Sequence, residues 1–141
     1  MEKEFNNAIT VETTVNAPLA TVWDFYTKPE HIINWNAASD DWHSPAAENN
    51  LQAGGKFSYR MEAKDGSMGF DFWGIYDRVV PHETIEYTMG DDRKARVSFT
   101  AGDSGTQVIT TFEAEQTHSP EMQQAGWQAI LDNFRKYVEA R

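Results

Sequence analysis

The stretch S-P-E-M-Q-Q-A-G-W-Q-A-I-L-D-N-F-R-K-Y-V, residues 119–138, decides how the chain folds. Ser119 suits an N-cap and Pro120 the first helical position, where its missing N–H costs nothing. Trp127, Ile130, Leu131, Phe134 and Val138 then recur at spacings of three and four, which makes one apolar stripe along a helix. Arg135, Lys136 and Arg141 fall toward the C-terminal end, where the helix dipole favours cations. A helix of about 20 residues spans roughly 30 Å, enough to lie across a whole sheet. What precedes it shows which sheet it covers.

Upstream the chain reads as a run of strands from Asp41 to Glu115. Thr106 to Glu115 and Ala95 to Ala101 alternate in period 2 and are joined by Gly102-Asp103-Ser104-Gly105, a hairpin loop by composition. Thr84 to Met89 places Ile85, Tyr87 and Met89 on one face, and Gly90-Asp91-Asp92 ends it. Gly69 to Val80 carries Phe70, Phe72, Trp73, Ile75 and Tyr76 on both faces, so its register is open and Gly74 is expected to mark a bulge. Lys64-Asp65-Gly66-Ser67 is a hairpin turn, since Asp-Gly supplies the positive φ such turns need. Before it, K-F-S-Y-R-M-E (56–62) alternates strictly, with Phe57, Tyr59 and Met61 on one face and Ser58, Arg60 and Glu62 on the other. Arg60, Glu62 and Asp71 are read as outward residues making cross-strand pairs. Trp42 to Ala47, interrupted by Pro45, is expected at an edge or bulge.

The N-terminal part differs. Ile9 to Val15 is a strand with Ile9, Val11, Thr13 and Val15 on one face. Pro18 opens a helix with the stripe Leu19, Val22, Trp23 and Tyr26, and Pro29 opens a second, short one through to Trp35. The order is one strand, two short helices, about six strands and one long helix.

Composition narrows the function classes. The 141 residues fit one domain, 1–141, and 40% hydrophobic with 24% charged residues is an ordinary globular composition. Eight Phe, five Trp and five Tyr make a heavy aromatic load. A net charge of −10 has the wrong sign for nucleic acid, whose phosphates are bound by Lys and Arg, and for an anionic membrane. Cysteine is absent, which removes disulfides, thiolate metal sites and cysteine nucleophiles. Neither a signal peptide nor a long apolar run is encoded, so membrane insertion is not expected and a cytoplasmic location is.

An antiparallel sheet with one apolar face must be covered, and the helix at 119–138 is its cover. A strongly curved sheet cannot touch one straight helix along its full width, so a gap is expected between them. On the sheet side Phe57, Tyr59, Met61, Phe72, Ile85 and Tyr87 are expected to line it, and on the helix side Trp127, Ile130, Leu131 and Phe134. Trp35 and Trp42 flank the middle of a stretch without Lys or Arg, from Pro29 to Gly55, and are expected at the mouth of the gap.

Five stretches in this order resemble a known family: V-N-A-P-L-A-T-V-W-D-F-Y (15–26), K-P-E-H-I-I-N-W (28–35), A-G-G-K-F-S-Y-R-M (53–61), D-F-W-G-I-Y-D-R-V-V-P (71–81) and G-W-Q-A-I-L-D-N-F (126–134). Over nearly its whole length the chain is similar to the SRPBCC, or START-like, helix-grip superfamily. Within it, the chain resembles the family related to the C-terminal domain of the activator of heat-shock protein 90 ATPase. The resemblance implies an α+β helix-grip fold, a curved antiparallel sheet of six to seven strands with two short helices and a long C-terminal helix over a hydrophobic cavity. The eukaryotic co-chaperone uses a second, N-terminal domain for much of its grip on the chaperone, and this chain begins at the first strand of the cup, which speaks against co-chaperone activity.

The chemistry-bearing motifs are sparse. His31, His43, His82 and His118 form no HxH or HxxxH pair, so no metal site is expected. No GxSxG, P-loop or GxGxxG occurs, and no cofactor is expected. Asp41 and His43, next to Asp40, are the one acid/base-like cluster and would share a face on a strand. The first expectation is a non-enzymatic binding protein for a small, mostly apolar, lipid-like or aromatic molecule. The second is a protein-interaction module of the co-chaperone type with a chaperone partner. The third is a cyclase- or aromatase-type enzyme using the cup, with Asp41 and His43 as its acid/base pair.

Overall fold

Period-2 alternation and turn chemistry set seven strands into one antiparallel sheet. The structure, a computed structural model, describes Phe5 and residues 7–141. In chain order its elements are β1 (Ala8–Val15), α1 (Leu19–Thr27), α2 (Pro29–Trp35), β2 (Trp42–Asn49), β3 (Lys56–Ala63), β4 (Gly69–Val80), β5 (Thr84–Met89), β6 (Lys94–Gly102), β7 (Gly105–Glu113) and α3 (Pro120–Glu139). The sheet order β1-β7-β6-β5-β4-β3-β2 makes β2 to β7 a continuous meander, and β1 joins it at the far edge beside β7. The helices α1 and α2 therefore carry the chain from one edge strand to the other. The sheet curls into a half-barrel around α3, an α+β helix-grip arrangement. Among the described residues no helix is long and apolar enough to cross a membrane.

The local signals act where their chemistry places them. Ser119 caps α3, its Oγ accepting from the Met122 N–H at 3.2 Å, and Pro120 begins the helix. Gly66 takes the positive φ of the β3–β4 turn. Pro45 sits in the edge strand β2, where the register shifts between His43 and Ala46. Arg60 pairs outward with Glu62 at 2.8 Å and Asp71 at 3.5 Å.

Two readings of the strands need correction. Gly74 is not a bulge: it pairs regularly with Phe57 on β3 and Met89 on β5. The register shift in β4 lies instead between Tyr76 and Arg78. A Cβ at Gly74 would stand 2.7 Å from Cε2 of Phe57 and 2.7 Å from the Thr88 carbonyl oxygen, so the glycine makes room for an aromatic ring. The even residues Phe72, Gly74 and Tyr76 face inward, while Trp73 and Ile75 face out. The second correction is at β7, which ends at Glu113 rather than Glu115. Glu115 turns back, its Oε1 accepting from the His118 N–H at 2.8 Å, and so shapes the link into α3.

The core fills one half of the cup. Phe134 on α3 is fully buried and meets Trp35 and Tyr26 edge-on, with ring centroids 5.0 and 5.2 Å away. Phe99 on β6 meets Trp23 at 5.1 Å and Tyr26 at 5.4 Å. Both short helices thus close the half of the sheet nearest the C-terminal end of α3. Between Trp127 and strands β3 and β4 the core leaves a cavity.

Candidate functional site

Where the sheet and α3 part, they leave a cavity of about 300 Å³. All seven strands and all three helices contribute to its lining. Phe57 is the centre of its floor, with its ring 4.9 Å from Tyr87, 5.1 Å from Tyr59, 5.3 Å from Tyr76 and 5.6 Å from Phe72. The roof is Trp127, which stacks on Phe112 at 3.8 Å and stands edge-on to Phe72. Ile130 and Leu131, one turn further along α3, continue it. Trp35 forms a side wall. Its indole is fixed by a 3.0 Å hydrogen bond from Nε1 to the Phe25 carbonyl and by stacking on Tyr26 at 5.2 Å.

The polar groups inside are few and mostly engaged. Tyr76 donates its hydroxyl to Asn49 Oδ1, and Asn49 Nδ2 donates to the Thr27 carbonyl at 2.6 Å. Thr27 in turn donates its hydroxyl to the Trp23 carbonyl at 2.8 Å. Burial pushes the Tyr76 phenol up to about 12, because an ionised oxygen would lose its water. Burial also raises Tyr26, Tyr59 and Tyr87, each reinforced by neighbouring phenols. The interior therefore opposes negative charge.

The exposed members of the lining mark the mouth. Phe70, 47% exposed, and the partly exposed Met61 lie on one side, Arg93 and Glu115 on the other. Arg93 is compensated: its Nε donates to Asp91 at 2.7 Å and a guanidinium nitrogen donates to the Glu113 carbonyl at 3.1 Å. Glu115 lies 2.5 Å from His118 Nδ1, and that hydrogen bond holds its carboxyl below the usual range. A shallower hollow continues past Arg93 and Glu115 to His118 and Met122.

Of the residues expected to line the gap, all but Trp42 and Phe134 do. Phe134 belongs to the same helical stripe as Trp127, but Tyr26 and Trp35 fill the space in front of it. Trp42 faces a separate, open hollow of about 430 Å³ beside α2, with Asp40, His43 and Lys64. Its ring meets Phe70 at 6.1 Å. Asp41 and His43 are both exposed and neither lines the cavity; His43 Nε2 lies 3.7 Å from Glu62. Asp41 stands in the turn before β2, so the two do not share a strand face. Among the described residues no three His, Asp or Glu side chains gather as metal ligands would.

Sequence reasoning missed Tyr26, Asn36, Asn49, Tyr76 and Arg93. Tyr26 was readable only as helix stripe, Tyr76 was hidden by the open register of β4, and Asn49 lies past the expected end of β2. Asn36 and Arg93 carry no local signal.

The model of the family described as Activator of Hsp90 ATPase homolog 1-like protein matches residues 16–139. The chain belongs to that family. Among solved structures, the solution structure of the AHSA1-like protein from Aeromonas hydrophila is 45% identical, with a TM-score of 0.89 over 94% of this chain and 92% of that one. A Cytophaga hutchinsonii protein is 50% identical, with a TM-score of 0.82 over 96% and 94% of the two chains. A crystal structure from Chromobacterium violaceum, 23% identical over 94% of this chain and 97% of that one, shares the fold with a TM-score of 0.84. No curated protein matches the chain.

Proposed function

We propose that this AHSA1-like chain is a non-enzymatic binding protein that takes one small, mostly apolar molecule into the cup between α3 and the sheet. One observation carries this reading: an aromatic-walled cavity of about 300 Å³ with four phenols in its lining and a mouth at Phe70 and Arg93. That volume lies at the lower end of small-molecule sites. It suits a fused-ring or short-chain ligand better than a long double-chain lipid. Phe57, Phe72 and Trp127 supply flat apolar contact, and the hydroxyls of Tyr59 and Tyr87 orient what lies between them.

The test is titration with N-phenyl-1-naphthylamine, a neutral dye that fluoresces when shielded from water. Tyr59→Ala and Trp127→Ala each remove an aromatic wall whose burial is worth ~1.5–3 kcal/mol, so binding should weaken about 10- to 100-fold. The far-ultraviolet circular dichroism should stay that of the wild type. Unchanged affinity in both variants would sink the assignment.

A second reading, a protein-interaction module that stimulates a chaperone ATPase, is favoured by the description of the family itself. It predicts capture of an ATPase chaperone and a faster ATPase rate on mixing, neither of which a pure small-molecule binder produces.

A further inference from the structure

Asn36 closes the C-terminal end of α2 and lines the cavity, on the wall that it and Trp35 share with the Trp42 hollow. It is 6% exposed, and its side-chain nitrogen has no hydrogen-bond partner among the described residues. Its neighbours in the lining differ: Asn49 both donates and accepts, and Thr27 donates to a carbonyl. A buried amide donor left without a partner costs folding free energy, and such groups are rare in native proteins. The torsion that turns a side-chain amide is soft, so a half-turn presents either of its ends to the cavity.

What would satisfy this donor follows from the charges around it. An acceptor oxygen is required. A carboxylate fits poorly, because among the described residues the cavity holds no cation at depth. Among the described residues Arg93 is the one Lys or Arg in its lining, and it lies at the mouth, engaged by Asp91 and flanked by Glu115. The buried phenols, which resist ionisation, report the same hostility to negative charge. A neutral carbonyl oxygen meets both conditions.

We infer that Asn36 reads the ligand by donating its side-chain N–H to a neutral carbonyl oxygen, so that the cup selects small apolar ketones or esters over hydrocarbons and carboxylates of the same shape. This rests on the binding function proposed above and names the class of molecule bound.

The experiment uses three ligands of matched shape, 2-acetylnaphthalene, 2-isopropylnaphthalene and 2-naphthoate, each displacing N-phenyl-1-naphthylamine from wild type and from Asn36→Leu. The readout is the ratio of ketone to hydrocarbon affinity compared between the two proteins, so the differing water solubility of the ligands cancels. The ratio should shift about tenfold toward the hydrocarbon in Asn36→Leu, as expected when a site built around a polar group loses it. In wild type, the Asn36 side-chain amide resonances should move on adding the ketone and stay in place on adding the hydrocarbon. That measurement decides the matter even if the variant fails to fold. A ratio unchanged within about twofold, motionless amide resonances, or 2-naphthoate binding the tightest of the three would each overturn the inference. If the dye and the hydrocarbon bind but the ketone gains nothing from Asn36, only this inference falls. If neither dye nor any naphthalene binds, the binding function falls with it.

Discussion

Replacing Gly74 by alanine should destabilise the fold by crowding two neighbours, Phe57 and Thr88. The added Cβ would stand 2.7 and 2.8 Å from two ring carbons of Phe57 and 2.7 Å from the backbone oxygen of Thr88. The Thr88 carbonyl belongs to β5, which is hydrogen-bonded to β4, and cannot retreat without disturbing that ladder. Phe57 is 2% exposed and hemmed by four other rings, so the only space open to it is the cavity. Overpacking of this kind costs about 1–3 kcal/mol, and the lost freedom of glycine in the unfolded chain returns up to ~1 kcal/mol. Because the Thr88 oxygen cannot yield, the cost lies in the upper part of that range and the net is a loss of about 1–2 kcal/mol, which lowers Tm by roughly 5 °C for a chain of this size. Urea unfolding at constant m-value measures it, with Gly126→Ala as control. Gly126 lies inside α3, an added Cβ meets nothing within 4 Å, and alanine there should stabilise by up to ~1 kcal/mol. Dye affinity should fall in Gly74→Ala as the Phe57 ring enters the cavity. Combining Gly74→Ala with Phe57→Leu should cost less than the sum of the two, a coupling of at least ~0.5 kcal/mol. A Gly74→Ala protein within ~0.5 kcal/mol of wild type would refute the packing argument.

Alkaline titration should find four of the five tyrosines, Tyr26, Tyr59, Tyr76 and Tyr87, still protonated in the folded chain well above pH 10, with Tyr76 the one held to about 12. Below pH 10 folded and unfolded phenols are alike protonated. Above it the unfolded ones ionise while the folded ones keep their protons, so stability falls from pH 10 toward 12. Near-ultraviolet absorbance follows the ionisation directly, and four phenols titrating near 10 without unfolding would refute it. The aromatic-wall variants Tyr59→Ala and Trp127→Ala should lose dye, and Asn36→Leu should lose its preference for ketones.

The fold was legible because its signals are local. Alternation in β3 and β5 named their inward faces, alternation in β6 and β7 marked them as strands, Asp65-Gly66 named a turn, and Ser119-Pro120 named the start of α3. The register of β4 was not legible, because the residue that completes its inward face is a glycine and Trp73 outside is as large as Phe72 inside. The site was partly legible. The stripe Trp127, Ile130, Leu131 and Phe134 defines one face of α3, but which part of it borders empty space depends on Tyr26 and Trp35, brought there from helices about a hundred residues earlier in the chain. Trp42 turns away from the cup at the irregular start of β2, where His43 and Ala46 shift register. Asn36 and Arg93 reach the cavity through topology alone: one ends a helix, the other precedes a strand, and no spacing rule marks either.

Native mass spectrometry of the chain, as purified and after incubation with N-phenyl-1-naphthylamine, tests most directly whether the cup is a ligand site. One bound molecule per chain is expected, either carried through purification or taken up as the dye, and it should be lost from Trp127→Ala. A bare chain that takes up no dye under conditions where it remains folded would contradict it.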